Sequence, residues 1–338
     1  MSKVALVNIV YNSMKYIPKV FPSVLNQTHK NSTFYVVIAG NENGEKEFIQ
    51  ENYPEIVIID PGYNIGFAKG HNELFSSIGA DFFQLVNPDL VLTENFVEEM
   101  LKPFEDPNIG AVSGKILQYD FEKNSTTNII DTTGVLISKS GRGRDRGQHE
   151  VDSGQYDTQT NLIAVSGAAA MYRKSALESV KYTYPNRHVK AGQTEYFDEE
   201  FFMYWEDVDL SWRIVNSGWK IQYNPKAIAY HGRTAASSPG GYKKVLQFIK
   251  HHKKISSRIL EWNYKNHIFM FIKNSPKFYF KFFQREIFYQ IYVLVFESAT
   301  LKILPTFFKQ LKSMWQKRKF IQSNRKISIE DMENLFTS

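Results

Sequence analysis

The sequence predicts an α/β fold, a mainly parallel sheet flanked by helices and followed by a C-terminal helical region. Two patterns carry this prediction. Apolar runs of strand length alternate with helical segments in the first half, and beyond residue 241 helical patterns continue without strands. Alternating strands and helices bury a parallel sheet between helical layers. The strand runs are 3–10, 33–39, 55–60 and 81–87; the helical segments between them are 14–25, 45–53 and 68–78. Ligands of such sheets sit beyond the carboxyl ends of the strands. Those ends are residues 11–12, 39–41, 61–66 and 87–89.

Thr93, with Glu94 in the first turn, predicts a capped helix running to about residue 104. Residues 109–118 and 129–137 read as strands, and 140–147 (SGRGRDRG) as a Gly-rich basic loop. A helix is expected over 207–216, stopped by Gly218, and then a strand over 220–229 leading to Tyr230-His231. Ser237-Ser238-Pro239-Gly240-Gly241 is the clearest boundary. It separates a catalytic-type domain, 1–238, from a basic, aromatic-rich region, 239–326. Residues 327–338 are expected to form a mobile tail.

Composition narrows the function. There is no cysteine, which excludes disulfides and thiolate metal sites. The apolar stretch 4–10 contains Asn8 and is too short and polar for a signal-peptide core, so it reads as a buried first strand. The longest late apolar run, 287–296, is far below the ~20 residues of a spanning helix. The net charge of +6 is unevenly placed. Residues 1–241 hold 22 Lys and Arg against 29 acids, a net −7, whereas 242–326 hold 19 against three, a net +16. The two parts therefore suit different partners.

Several residues have the chemistry to bind a cation or phosphate or to accept a proton. Asn87-Pro88-Asp89 follows a strand, where a carboxylate can bind a hard cation together with phosphate oxygens. The plainer reading is a proline turn. Glu206-Asp207 opens a helix, where acids also serve as caps. An ionised carboxylate there can accept a hydroxyl proton, which makes Asp207 a candidate general base. Asp209 and Arg213, four residues apart, read as a helical ion pair, and Val208, Trp212 and Val215 as core. His231 precedes Gly232-Arg233; imidazole can bind a metal and Arg233 can pair with phosphate. Residues 64–72 (NIGFAKGHN) open a helix whose N-terminus suits an anion. A Walker loop and a G-x-G-x-x-G turn after the first strand are both absent.

Taken in order, VNIVYNS, NIGFAKGHN, LVNPDL, VSGAAAMYRK, FDEEFFMYWEDVDLSWR and YHGRT resemble family 2 glycosyltransferases, especially bacterial rhamnosyltransferases. The resemblance covers roughly residues 3–235, and WNYKNHIFMFIKN also looks like a family element. It implies a GT-A nucleotide-diphospho-sugar transferase fold and inverting transfer from a nucleotide sugar, dTDP-rhamnose or a UDP sugar. It implies that Asp89 and His231 hold Mg²⁺ or Mn²⁺ against the donor diphosphate, with Asn87 replacing the first acid of the family's metal motif. Asp207, within the Glu206-Asp207 pair, matches the base. Val10, Tyr11 and Asn12 should line the nucleotide; Asn64, Gly66 and Lys69 should approach base or ribose. Relatives place an Asp after the second strand where this chain has Ala39-Gly40-Asn41-Glu42, so Asn41 or Glu42 substitutes there. Glu199, Glu200 and Trp205 fall on the acceptor side, and Arg142, Arg144 and Arg146 on a mobile flap.

The implied acceptor is a glycan or lipid-linked glycan of the bacterial surface, met in the cytoplasm or peripherally on the inner face of the membrane. Lys and Arg interleave with aromatics over 242–326. Three roles fit: a helix lying on an anionic membrane, a cap packed on the catalytic domain, or a homo-oligomer interface. A nucleic-acid-binding role leaves NPD and WED without a purpose, so no nucleic-acid partner is expected. A catalytically silent, glycosyltransferase-like scaffold is the remaining rival.

Overall fold

The computed structural model describes residues 1–185, 190, 192–232 and 255–337. The expected boundary at 237–241 and Arg233 lie outside them. The strands are β1 (Val4–Val10), β2 (Ser32–Ile38), β3 (Val57–Ile59), β4 (Phe82–Leu85), β5 (Leu90–Leu92), β6 (Ile109–Asp120), β7 (Ser125–Thr132), β8 (Val135–Ile137), β9 (Gly143–Asp145), β10 (Asn161–Leu162), β11 (Met171–Arg173), β12 (Tyr182–Thr183), β13 (Thr194–Glu195) and β14 (Lys220–His231). The helices are α1 (Ile17–Leu25), α2 (Glu45–Asn52), α3 (Phe67–Ser77), α4 (Phe96–Leu101), α5 (Lys174–Val180), α6 (Glu206–Asn216), α7 (Ser257–Asn274), α8 (Phe280–Phe296), α9 (Leu304–Ser323) and α10 (Ile329–Leu335).

The main sheet runs β10-β14-β6-β11-β4-β1-β2-β3. Neighbours β4, β1, β2 and β3 are parallel, as are β6 and β14, while β11 runs antiparallel between the two groups. The predicted fold class is therefore observed. Alternation along β1 explains the two layers. Val4, Leu6 and Val10 pack with Val20 and Phe21 of α1; Ala5 and Val7 pack with Leu74 and Phe75 of α3.

Three expectations differ from the structure. Thr93 does not cap α4: its hydroxyl bonds the Ile228 carbonyl at 2.6 Å, and Asn95 occupies the cap position. The strand expected over 129–137 breaks at Gly134. That residue has φ +116°, and a Cβ there would lie 2.4 Å from Leu162, so the close approach requires glycine. The tail after Lys326 is packed rather than mobile. Ser328 caps α10 by accepting from the Asp331 N–H, Met332 is buried, and Glu333 pairs with Lys139 and Lys277.

The C-terminal helices join the sheet domain through buried charge. Lys273 of α7 contacts Asp198 at 2.6 Å and Asp209 at 2.8 Å. Lys317 of α9 contacts Glu195 at 2.6 Å, Asp198 at 2.6 Å and Glu200 at 3.0 Å. Asp209 also receives the expected bond from Arg213 at 3.1 Å and one from Asn274 at 2.7 Å. Burial opposes ionisation of Asp198, yet the two ammonium groups hold its carboxyl far below the usual range. Removing one partner of such a network leaves uncompensated buried charge. Lys317→Met is expected to cost about 3–5 kcal/mol of unfolding free energy. Lys181→Ala, which removes an exposed pair with Glu178, costs at most about 1 kcal/mol. Denaturant titration of both variants checks the contrast.

Candidate active site

Residues 166–168 draw the two acidic motifs into one site. The Gly167 N–H donates to Asp207 Oδ2 at 2.6 Å. The next residue, Ala168, accepts at its carbonyl from the Asn87 N–H at 3.0 Å. One stretch of backbone thus touches both the candidate base and the NPD turn. Asp207 Oδ1 also accepts from the Val208 N–H at 2.7 Å. Burial pushes the Asp207 carboxyl up to about 6, against those two N–H donors, with Asp145 of β9 adding repulsion. A carboxylate with such a pKa accepts a proton near neutral pH. Glu206 differs from its neighbour. It is buried, its Oε2 meets no partner, and burial followed by Asp207's charge pushes it well above the carboxylate range. Glu206 thus favours its protonated form more than Asp207 does.

On the other side, Asp89 Oδ1 lies 3.0 Å from His231 Nε2, and Asp131 Oδ2 lies 2.8 Å from His231 Nδ1. Asp131 is not among the residues expected from sequence. All three groups are nearly fully buried. Burial opposes charge on His231, but the two carboxylates push it up to about 10. Asp89 is held below its ordinary value by His231, against its own burial. A histidine fixed by a carboxylate at one nitrogen offers the other to a cation. Among the described residues, no group of three or more His, Asp or Glu is spaced to hold a metal. Both imidazole nitrogens face carboxylates, so for Asp89 and His231 to hold a divalent cation His231 would have to release its Nε2 proton, with diphosphate oxygens and water supplying the other ligands.

The remaining expected residues lie at or beyond the carboxyl ends of β1, β2 and β3. Tyr11 is half exposed, and its ring lies against Gly40, where a Cβ would approach it to 2.9 Å. Asn12 (φ +49°) accepts from Asn43 at 3.2 Å. Asn41 accepts from the Lys46 N–H at 2.8 Å and donates to Glu47 at 2.9 Å, which orients it at the start of α2. Asn64 accepts from the Gly66 N–H at 3.0 Å; Gly66 has φ +76°, with the Phe202 ring 2.7 Å from where a Cβ would be. Lys69 reaches the Tyr63 hydroxyl at 2.8 Å. The Val10 side chain is fully buried in the α1 layer, which leaves only its backbone at the strand end to meet a nucleotide. Two further side chains are engaged within the protein. Glu200 is tied to Lys317 and Ser313, and Arg146 is buried, donating to Thr133 and to the Gln159 carbonyl. The loop 140–147 is thus part of a hairpin, with β9 paired to β8 rather than free as a flap.

The loop before Asp207 is strained. Phe202, Tyr204 and Trp205 have φ of +64°, +69° and +73°. Non-glycine residues there cost of order 1–3 kcal/mol each. Asn266 of α7 holds the loop: its amide nitrogen lies 3.0, 3.0 and 2.9 Å from the carbonyls of Phe201, Met203 and Tyr204. Trp205 donates to Asn263 at 3.0 Å. Both partners come from WNYKNHIFMFIKN, which the sequence marked without assigning a role.

Residues 6–181 match the family model described as glycosyl transferase family 2. The chain belongs to this family. Its sheet and C-terminal helices fit the GT-A architecture expected of it. A hyaluronan synthase of Streptococcus pyogenes is 24% identical over 184 residues, 52% of this chain and 41% of the synthase. The chain therefore spans about two fifths of that relative's length. An N-acetylglucosaminyl-diphospho-decaprenol L-rhamnosyltransferase of Mycobacterium tuberculosis is 22% identical over 265 residues, 73% of this chain and 81% of the relative. Among solved structures, S. aureus TarS 1–349 is 14% identical with a TM-score of 0.47, covering 81% of each chain.

Asn266→Leu removes the donor shared by three carbonyls. Loss of loop geometry is expected to lower kcat by about 10–100-fold with secondary structure retained. Paired kinetics and circular dichroism check it.

Proposed function

We propose that this glycosyltransferase moves L-rhamnose from dTDP-rhamnose, with inversion, onto a hydroxyl of a lipid-linked bacterial glycan. The observation that carries the reading is the 167–168 backbone joining Asp207 to the NPD turn. Charge must leave on one side of the anomeric carbon while a proton leaves on the other. Asp89 and Asp207 meet those two demands. The named rhamnosyltransferase relative, matched along most of both chains, supports the sugar.

Asp207 takes the proton from the acceptor hydroxyl as its oxygen attacks. The Gly167 and Val208 N–H groups keep the carboxylate aimed and hold its pKa near neutral. Mg²⁺ or Mn²⁺, bound at Asp89 and His231, would supply positive charge to the diphosphate. Asp131 keeps His231 oriented. Tyr11, Asn12 and Asn41 border the nucleotide, and Asn64, Gly66 and Lys69 border the base or ribose. Trp205 and Glu199 stand on the acceptor side.

Asp207→Asn is expected to reduce turnover by about 10²–10⁴ with the fold intact. The base must be ionised, so in the wild type kcat/KM falls about tenfold per unit as pH drops below about 6. A pH–rate profile that stays flat from 7 to 4.5 contradicts this (a range set by the ~6 midpoint).

Donor identity is read by thermal shift with Mn²⁺. dTDP and dTDP-rhamnose are expected to stabilise the protein more than UDP, and Asp89→Ala to lose that shift. A larger shift with UDP, UDP-hexose or UDP-galactofuranose favours the alternative donors. No shift with any nucleotide supports a silent scaffold.

A further inference from the structure

Helix α8 turns an apolar face outward. Phe280, Phe283, Ile287, Phe288, Ile291, Leu294 and Val295 are each between 49% and 74% exposed. At 100° per residue they fall within an arc of about 140°. The opposite face carries the helix's fully buried positions, Phe282 and Val293. The packing face of α8 is therefore already used, and the outward face is a second apolar stripe. Within the outward arc only Gln284 is polar. Contiguous exposed apolar surface on this scale marks an interaction site.

The charges around the stripe identify the partner. Among the described residues from 277 to 323, every exposed charged side chain is a lysine: Lys277, Lys281, Lys302, Lys309, Lys312 and Lys319. The acids of this stretch are drawn inward, Glu286 to His267 and Arg285. Lys277 precedes α8 and Lys281 adjoins Phe280 on it, and an apolar stripe with such cationic flanks complements an anionic lipid surface. A two-fold dimer through the same patch sets lysines against lysines. A cleft of about 400 Å³ adjoins the stripe. It is lined by Ser140, Arg142, Arg285, Phe288, Tyr289 and Tyr292. Two guanidinium groups beside aromatic rings suit a phosphate with an apolar tail.

The helix geometry sets the orientation. No single helix among the described residues is long and apolar enough to cross a membrane, and the chain bends by 109° after α8. The stripe, about 23 Å long at 1.5 Å per residue, is too short to cross a bilayer by itself and suits lying in the plane of a surface. The hairpin β8–β9 connects this surface with the catalytic site. Gly141, at its turn, packs against Phe282 of α8 and Phe271 of α7, and Gly143 packs against Trp205.

We propose that α8 docks in plane on an anionic bilayer, its apolar stripe in the headgroup boundary and the arginine-lined cleft over a lipid phosphate. The docked surface then presents a lipid-linked acceptor to Trp205 and Asp207. The inference rests on the lipid-linked acceptor proposed above, but its test needs no acceptor, so the two can fail separately. The full chain is sedimented with vesicles of phosphatidylcholine alone and of phosphatidylcholine mixed with phosphatidylglycerol. Binding to the mixed vesicles is expected to be at least about tenfold stronger and to weaken with salt. Ile291→Asp combined with Leu294→Asp should abolish it, with melting temperature and transfer to a water-soluble acceptor unchanged. Negligible or equal binding to both vesicles overturns the proposal. So does a stable dimer that the double substitution dissociates, because a second copy then covers the face. Vesicle binding without transfer to any lipid-linked acceptor leaves docking intact and contradicts the acceptor reading instead.

Discussion

Two buried ammonium groups hold this molecule together at the point where it works. Lys273 and Lys317 reach from the C-terminal helices to Asp198 and, between them, to Glu195, Glu200 and Asp209. Desolvating so many charges is costly, and only close contacts with further hydrogen bonds offset it. The geometry supplies both. The result is directional as well as cohesive. Asp198 sits just before the strained 202–205 turn, and Asp209 lies one residue beyond Val208 on the helix that Asp207 enters. The same ion network thus brackets Asp207 from both sides in sequence. Asn266 completes the clamp by binding three carbonyls of the turn between. Left-handed aromatic residues persist only where surroundings over-determine them. Here the surroundings are supplied by α7 and α9, so the C-terminal helices shape the turn that leads into Asp207.

The site itself is divided electrostatically. Asp207 is poised near neutrality because burial and backbone donors oppose one another. Asp89 is kept ionised by the imidazolium beside it, which Asp131 stabilises in turn. Two carboxylates joined through a short backbone strut therefore hold different protonation tendencies. That separation is what transfer of a sugar requires: an acceptor of protons on one side and an anchored charge on the other.

Much of this was legible in the sequence. Apolar runs of strand length located β1, β2 and β4, because strands buried on both faces leave continuous hydrophobic stretches, and the alternation of β14 marked a strand with one exposed face. NPD and WED marked the two acids, and the Asp209–Arg213 spacing marked their pair. Asp131 was not legible, since a single acid in a polar strand carries no local pattern and gains meaning only from His231, 100 residues away. The buried roles of Lys273 and Lys317 were hidden for a related reason. Composition records them as basic residues of a +16 region, while only tertiary structure reveals the carboxylates opposite them. The burial of Val10 and Glu206 was hidden within matching motifs, where side-chain alternation and helix packing turn both inward. The tail carried a readable signal, Ser328 three residues before Asp331, which caps α10.

The account stands on Asp89 and Asp207 serving one donor sugar. Its most direct test is a crystal structure with dTDP-rhamnose and Mn²⁺ in the Asp207→Asn variant, with manganese located by anomalous scattering. The predicted result is manganese between Asp89 and His231, diphosphate on it, and residue 207 facing the anomeric carbon from the opposite side. Donor bound at another surface, or a sugar whose anomeric carbon turns away from residue 207, would contradict the account.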